Sequence, residues 1–148
     1  MSRIVGGAAR GVVGAMAMSG LRNLMRDAGL MEEEPPRALV KRFSLMSRLR
    51  PTGPNRVTVE LAHWGVGAGG GIVFAALPAA LRARRWVGPM YGIAIWLSFD
   101  AVIAPALGVK HADSRPVRQR IALAADHTVY GLVLAAPRPR PADAEVAV

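Results

Sequence analysis

The chain contains no cysteine among its 148 residues, which excludes disulfide bonds and thiol chemistry. It also lacks a Gly-x-Ser-x-Gly sequence, a phosphate-binding loop and a His-Glu-x-x-His motif. The glycine run at 69–71 lies inside an apolar segment, where close helix contact explains it better than phosphate binding. We therefore expect no catalytic residues and a protein that is not an enzyme.

Aromatic residues are scarce, at 5% of the chain, while hydrophobic residues make up 52% and the mean hydropathy is +0.27. A soluble core usually relies on larger side chains, whereas membrane helices associate through small residues because lipid gives them no hydrophobic reason to pack. The alternative is a soluble alanine-rich helical bundle. The long apolar runs, separated by basic clusters, favour a membrane protein instead.

Acidic residues are also few, with 10 Asp and Glu against 19 Lys and Arg, so the net charge is +9. In a soluble protein this excess would suggest a nucleic-acid partner. Here the arginines lie between the apolar segments, which fits contact with anionic lipid headgroups better. We expect the lipid bilayer, and no nucleic acid, as the partner.

Four apolar segments predict an all-α fold, an integral membrane four-helix bundle within residues 1–136. We expect a multi-pass protein of the bacterial plasma (inner) membrane. The fourth segment is the shortest, at roughly 24 Å of helix against a hydrocarbon core of about 30 Å. Residues 137–148, with Pro-Arg-Pro-Arg-Pro, are typical of a disordered tail. The segments span about 4–21, 57–81, 86–109 and 121–136.

The connections between segments predict part of the topology. Residues 38–46 place apolar beside basic side chains and fit an interfacial amphipathic helix between the first two helices. The connection at 82–85 is so short that the second and third helices should be antiparallel neighbours. The first and third loops hold more Lys and Arg than the opposite side, but the dense arginine cluster at 82–85 argues the other way. The membrane orientation is therefore open.

Small residues at steps of about four place a contact stripe on each predicted helix. Such stripes let helix backbones approach closely in a membrane. The expected packing residues are Gly7, Gly11, Ala15 and Ser19 on the first helix, Gly67 and Gly71 on the second, Gly88 and Gly92 on the third, and Gly131 on the fourth.

Ionisable residues inside the predicted segments should face the bundle interior, because a charge in the bilayer is costly. The second and fourth helices enter from one membrane face and the third runs toward it, so the helical rise places these residues at a similar depth. We predict a polar cluster in one leaflet, beneath the long basic loop. Its members are Glu60, His63, Asp100, Asp126 and His127.

Three interpretations of this cluster are open. The histidines can hydrogen-bond Asp100 or Asp126 simply to fix the helix positions. Carboxylates and imidazoles can also relay a proton or an ion. Finally, His63 and His127 at matched depth could ligate one metal ion or a haem iron, with a glycine one turn after each making room for a flat macrocycle.

The leading hypothesis is a small non-enzymatic membrane bundle, without a cofactor, whose cluster serves proton or ion coupling. The second is a haem- or metal-binding membrane subunit. The third is a scaffold or assembly subunit that binds a membrane protein partner, or another copy of itself, through the basic loop.

Short motifs follow one another over most of the chain up to Ala136. After a glycine-rich first helix come Glu34-Pro35-Pro36-Arg37, His63-Trp64-Gly65-Val66-Gly67, Gly92 with Trp96, Pro105-Ala106-Leu107-Gly108 and His127-Thr128-Val129-Tyr130-Gly131. In these motifs and their order the sequence resembles the YagU-like family of small bacterial inner-membrane proteins of unknown function. The resemblance implies a multi-helix plasma-membrane protein and supplies no reaction or catalytic residues.

Overall fold

Helices are the only regular secondary structure in the computed structural model, which describes residues 2–30, 56–106 and 116–137. The all-helical prediction is confirmed for these residues. The predicted interfacial helix at 38–46, the end of the third segment and the tail beyond Pro137 lie outside them. The helices are α1 (Arg3–Asp27), α2 (Arg56–Ala76), α3 (Ala79–Arg82), α4 (Val87–Ser98), α5 (Ala104–Ala106) and α6 (Val117–Ala135), and a π-helical turn (Phe99–Ile103) joins α4 to α5.

The first helix continues beyond its predicted end and stops at Gly29, which has a φ of 70°. The Leu30 N–H donates to the Met25 carbonyl at 2.8 Å, and the Gly29 N–H donates to the Arg26 carbonyl at 2.9 Å. These two bonds form a Schellman motif, whose left-handed position suits glycine. The predicted segment ended at residue 21, before Arg22, whereas the stop signal is Gly29.

The second helix ends earlier than predicted, at Ala76. Pro78 has no N–H to donate and disfavours helical geometry at Leu77, so the helix cannot continue through it. The Nε of Arg82 on the short helix α3 donates to the Leu77 carbonyl at 3.0 Å. The predicted span of 57–81 is therefore one long helix followed by a separate turn.

The last helix begins earlier than predicted, at Val117, directly after Pro116. A proline fits this position because the first N–H groups of a helix have no partner within it. The longer helix places Asp126 roughly 14 Å from its start. A helix that began at residue 121, as predicted, would place Asp126 closer to the helix start.

The contact between α1 and α2 passes through glycines on both helices. A Cβ at Gly11 would overlap the Gly67 carbonyl oxygen, and a Cβ at Gly71 would overlap the Gly7 carbonyl oxygen. Residue numbers rise on one helix as they fall on the other, so the two helices are antiparallel. A Cβ at Gly67 would also lie 2.6 Å from the Cβ of Ala15. Side chains larger than glycine would push the helices apart.

A second antiparallel pair, α4 and α6, repeats this arrangement. A Cβ at Gly88 would overlap the Gly131 carbonyl oxygen, and a Cβ at Gly131 would overlap the Gly88 carbonyl oxygen. One turn away, a Cβ at Gly92 would overlap the carbonyl oxygen of His127. Helix α1 also contacts α6, which joins the two pairs.

Two tyrosines fill the interior between the pairs. The Tyr130 hydroxyl on α6 donates to the Gly67 carbonyl at 2.6 Å, and its ring lies against Gly14 of α1. The Tyr91 hydroxyl on α4 donates to the Gly70 carbonyl of α2 at 2.7 Å. Each tyrosine therefore links the two helix pairs and satisfies its own polar group.

Large apolar side chains cover the outside of the bundle. They come from every long helix and from the π-helical turn, and include Val13 at 56% exposed, Val66 at 71%, Met90 at 57%, Val102 at 64% and Leu132 at 52%. Among the described helices, only α1 is both long and apolar enough to be a candidate membrane span; the stretch 87–103 is apolar but shorter.

Candidate functional site

A buried ion pair joins α1 to α6. The Arg22 Nε donates to Oδ2 of Asp126 at 2.8 Å, and the two residues are 7% and 0% exposed. Arg22 lies just after the predicted first segment, 4–21, and was not among the predicted cluster residues. A signal was present, because Arg22 lies three residues after Ser19 and seven after Ala15, on the same helical stripe.

The same guanidinium fixes the tautomer of His63 on α2. The Arg22 Nη2 lies 2.8 Å from His63 Nε2, and a guanidinium can only donate. Nε2 is therefore the acceptor, and the proton of the neutral ring lies on Nδ1. That Nδ1 is 3.4 Å from the Oγ of Ser19, which accepts at long range.

Ser19 also contacts Glu60 on α2. Its Oγ lies 2.6 Å from Oε2 of Glu60 and 3.1 Å from the Ala15 carbonyl oxygen. A hydroxyl has one hydrogen, and the shorter of these two contacts is the stronger bond. We therefore conclude that the Ser19 hydroxyl donates its hydrogen bond to Glu60.

These contacts form one continuous chain across three helices, which we call the polar chain. It runs from the partly exposed Glu60 through Ser19, His63 and Arg22 to the fully buried Asp126. Ser19 was predicted only as a packing residue. Three members of the predicted cluster thus lie in the polar chain, connected through two residues that the prediction left out of the cluster.

The other two predicted cluster residues lie beside the polar chain. His127 Nδ1 is 2.9 Å from the Leu123 carbonyl oxygen, which can only accept, so this nitrogen carries the proton. Asp100 lies in the π-helical turn, and its charge acts on His127, as does the charge of Arg22. π-helical turns inside helices often occur at functional sites.

Three buried polar atoms have no hydrogen-bond partner among the described residues. They are Oδ1 of Asp126 and the indole Nε1 atoms of Trp64 and Trp96. The Trp96 ring packs against Ala122 and Leu123, one turn before Asp126 on α6. An orphaned group of this kind normally binds water, an ion or a ligand.

The geometry does not favour the metal or haem hypothesis. The described residues include no group of three or more His, Asp or Glu side chains that could hold a metal ion. Nε2 of His63 already accepts from Arg22. The space beside Gly67 and Gly131, which a macrocycle would need, is filled by α1 and α4. The basic loop on which the scaffold hypothesis depends lies outside the described residues.

Comparisons with family models, with curated proteins and with solved structures give no match for this chain. The resemblance to the YagU-like family stays a prediction. The functional argument therefore depends on the polar chain itself.

Proposed function

We propose that this protein is a multi-pass membrane bundle, not an enzyme, in which the polar chain relays protons. The observation that carries the proposal is the series of contacts from His63 through Ser19 to Glu60. His63 can take a proton at one nitrogen while it releases one at the other.

Arg22 controls entry to this relay. A guanidinium stays protonated in proteins, so it cannot itself pass a proton to His63. Entry at Nε2 requires the contact between Arg22 and His63 to open while Arg22 stays paired with Asp126. A proton then binds Nε2, the Nδ1 proton moves to Ser19, and the Ser19 proton moves to Glu60. Each group ends with as many protons as it began with, except Glu60, which gains the one that entered.

The proposed membrane location is supported by large apolar side chains on the outside of the bundle and by a few polar side chains inside it. Valine, leucine and methionine cover the outside, whereas Arg22, Gln119 and Asp126 are buried. Contiguous exposed apolar surface marks a membrane or partner contact. Only 28% of the candidate span in α1 is buried in the bundle, unlike the core helix of a soluble protein.

Anionic lipids are the proposed partner at the end of the bundle that holds Arg84 and Arg85, which we call the arginine end. Here α2 finishes and α4 begins, and Trp86 is 57% exposed. Among the acidic residues in the described ranges, Asp27, Glu60 and Asp100 lie in the other half, and Asp126 lies at the middle of α6. In detergent, adding anionic lipid should raise the thermal midpoint more than zwitterionic lipid does, and the double variant Arg84→Gln/Arg85→Gln should lose that difference. Equal midpoints with both lipids would contradict this contact.

Labelling of single cysteines tests the membrane topology. Because the chain has no cysteine, each introduced thiol is unique. The variants are Ser2→Cys, Ala28→Cys, Arg85→Cys and Val117→Cys, labelled in intact cells with a membrane-impermeant maleimide. A multi-pass bundle places Ser2 and Arg85 on one side and the other two on the opposite side. If α1 alone crossed, Ser2 would differ from all three others, and the multi-pass proposal would be wrong.

Proton flux tests the relay. Protein is reconstituted into vesicles that contain a pH-sensitive dye, and a pH gradient is imposed. We expect flux above that of empty vesicles, lowered in His63→Gln and Ser19→Ala and unchanged in Ser98→Ala, which alters an exposed serine on α4. Tryptophan fluorescence checks that each variant is folded. Wild-type flux no higher than empty vesicles, or full flux from folded His63→Gln, would leave only a structural role.

A further inference from the structure

A second polar position adjoins the polar chain, at the free oxygen of the Asp126 carboxylate. The Asp126 carboxylate uses Oδ2 for Arg22, while Oδ1 is buried and has no donor among the described residues. Asp126 itself is 0% exposed, so bulk water does not reach it. A buried carboxylate oxygen left without a donor is costly, which indicates a bound group.

A matching donor lies in the adjoining layer of the bundle. Trp96 on α4 and Met25 on α1 both pack against Ala122 and Leu123, which precede Asp126 by one turn of α6. The Trp96 indole N–H is buried and has no acceptor among the described residues. The Trp96 indole therefore offers a hydrogen, and Oδ1 of Asp126, one turn of α6 beyond the residues that Trp96 contacts, offers a lone pair.

The charge of the site restricts what can bind. Arg22 already balances the charge of Asp126, so a metal cation at Oδ1 would add an uncompensated positive charge to a buried site. A cation would also leave the Trp96 N–H unsatisfied. A neutral molecule that both donates and accepts satisfies both groups, and the close packing around Leu123, which is 1% exposed, admits only a small one.

We propose that Asp126 Oδ1 and Trp96 Nε1 hold a buried water molecule between them. The water donates to Oδ1 and accepts from the indole N–H. The binding of this water does not depend on the proposed function. It extends the polar chain from α6 to α4.

Water cross-relaxation in the full-length, ¹⁵N-labelled protein tests this site. The three indole N–H signals are assigned with Trp64→Phe, Trp86→Phe and Trp96→Phe. We expect the Trp96 signal to exchange slowly yet to show a cross-peak to long-lived water, and Asp126→Asn to shift it. Trp86 is exposed and is the control for fast exchange. Trp64, whose indole N–H is also buried and has no partner among the described residues, is the matched control for slow exchange. A slowly exchanging Trp96 N–H without a water cross-peak would overturn the proposal.

A salt series separates water from a bound cation. The thermal midpoint of the wild type is measured in sodium, potassium and N-methylglucamine chloride at equal ionic strength. We expect no difference between the three salts. A rise specific to sodium or potassium that Asp126→Asn removes would overturn the proposal in favour of a cation. A water cross-peak without proton flux would refute only the relay, and flux without the cross-peak would refute only the water site.

Discussion

Arg22 on α1 and Asp126 on α6 form an ion pair at 2.8 Å in which the two side chains are 8% and 0% exposed. The two residues are far apart in the sequence, so the pair fixes one helix against the other at a defined height. Taking both charges out of water costs as much as their attraction returns, and a buried pair is therefore a poor net stabiliser. Its effect is on specificity, because any arrangement that separates the partners leaves a charge buried alone.

Removal of one partner should therefore destabilise the fold strongly. We expect Arg22→Met and Asp126→Leu each to lower the free energy of unfolding by about 3–5 kcal/mol, because each leaves an unpaired buried charge. The double variant should lose much less than the sum of the two. Denaturant unfolding in detergent, followed by tryptophan fluorescence, measures all three.

Arg85→Met is the matched control for the arginine substitution, because Arg85 is exposed. It should leave the free energy of unfolding within about 0.5 kcal/mol of the wild type. If the losses from Arg22→Met and Asp126→Leu simply added in the double variant, the ion pair would not couple the two helices.

Glycines at the two helix crossings should not tolerate alanine, whereas glycines that face outward should. We expect Gly11→Ala and Gly92→Ala to cost about 1–3 kcal/mol, since each added Cβ would overlap a backbone carbonyl oxygen of the facing helix. Gly65→Ala and Gly69→Ala are the matched controls on α2, with no other atom within 4 Å of the added Cβ. These should be neutral, or more stable by up to about 1 kcal/mol from helix propensity.

Unfolding midpoints in detergent measure the difference. Equal loss at all four positions would mean that Gly65 and Gly69 face a partner or another copy of the chain.

The sequence predicts helix faces well and the facing partners poorly. Gly65 with Gly69 and Gly67 with Gly71 have the same spacing on α2, yet only the second pair contacts α1. Periodicity shows that residues share a face but not which neighbour covers it. For the same reason the charge pattern located His63 and Asp126 inside helices but missed Arg22, whose burial depends on a partner 104 residues later. The ends of α1 and α2 depend on local signals that the sequence contains, Gly29 and Pro78, and the predicted bounds did not use them.

The two interior tyrosines should contribute to stability through their hydroxyls. We expect Tyr130→Phe and Tyr91→Phe each to lower the free energy of unfolding by about 0.5–1.5 kcal/mol, because each removes the donor to a carbonyl of α2 and leaves the ring in place. Their effects should add, since the acceptors are different residues. A double variant as stable as either single variant would contradict independent bonds.

Arg10 should hold the end of the last helix in place. Its Nη1 donates to the carbonyl oxygens of Leu134 at 3.0 Å and Ala136 at 2.6 Å. The last carbonyls of a helix lack intrahelical donors, and a cation there also opposes the negative end of the helix dipole. We expect Arg10→Met, which keeps most of the apolar stem, to increase amide hydrogen exchange in the final turn of α6.

The increase should be local, because the glycine crossing of α4 and α6 and the polar chain do not depend on Arg10. Amides around Asp126 should therefore exchange as in the wild type, and Arg3→Met, an exposed substitution on the same helix, should change neither region. Hydrogen–deuterium exchange with mass spectrometry resolves the two parts of α6. Uniformly faster exchange along α6 would show that Arg10 supports the whole helix rather than its end, and unchanged exchange in the last turn would show that water replaces the guanidinium without loss.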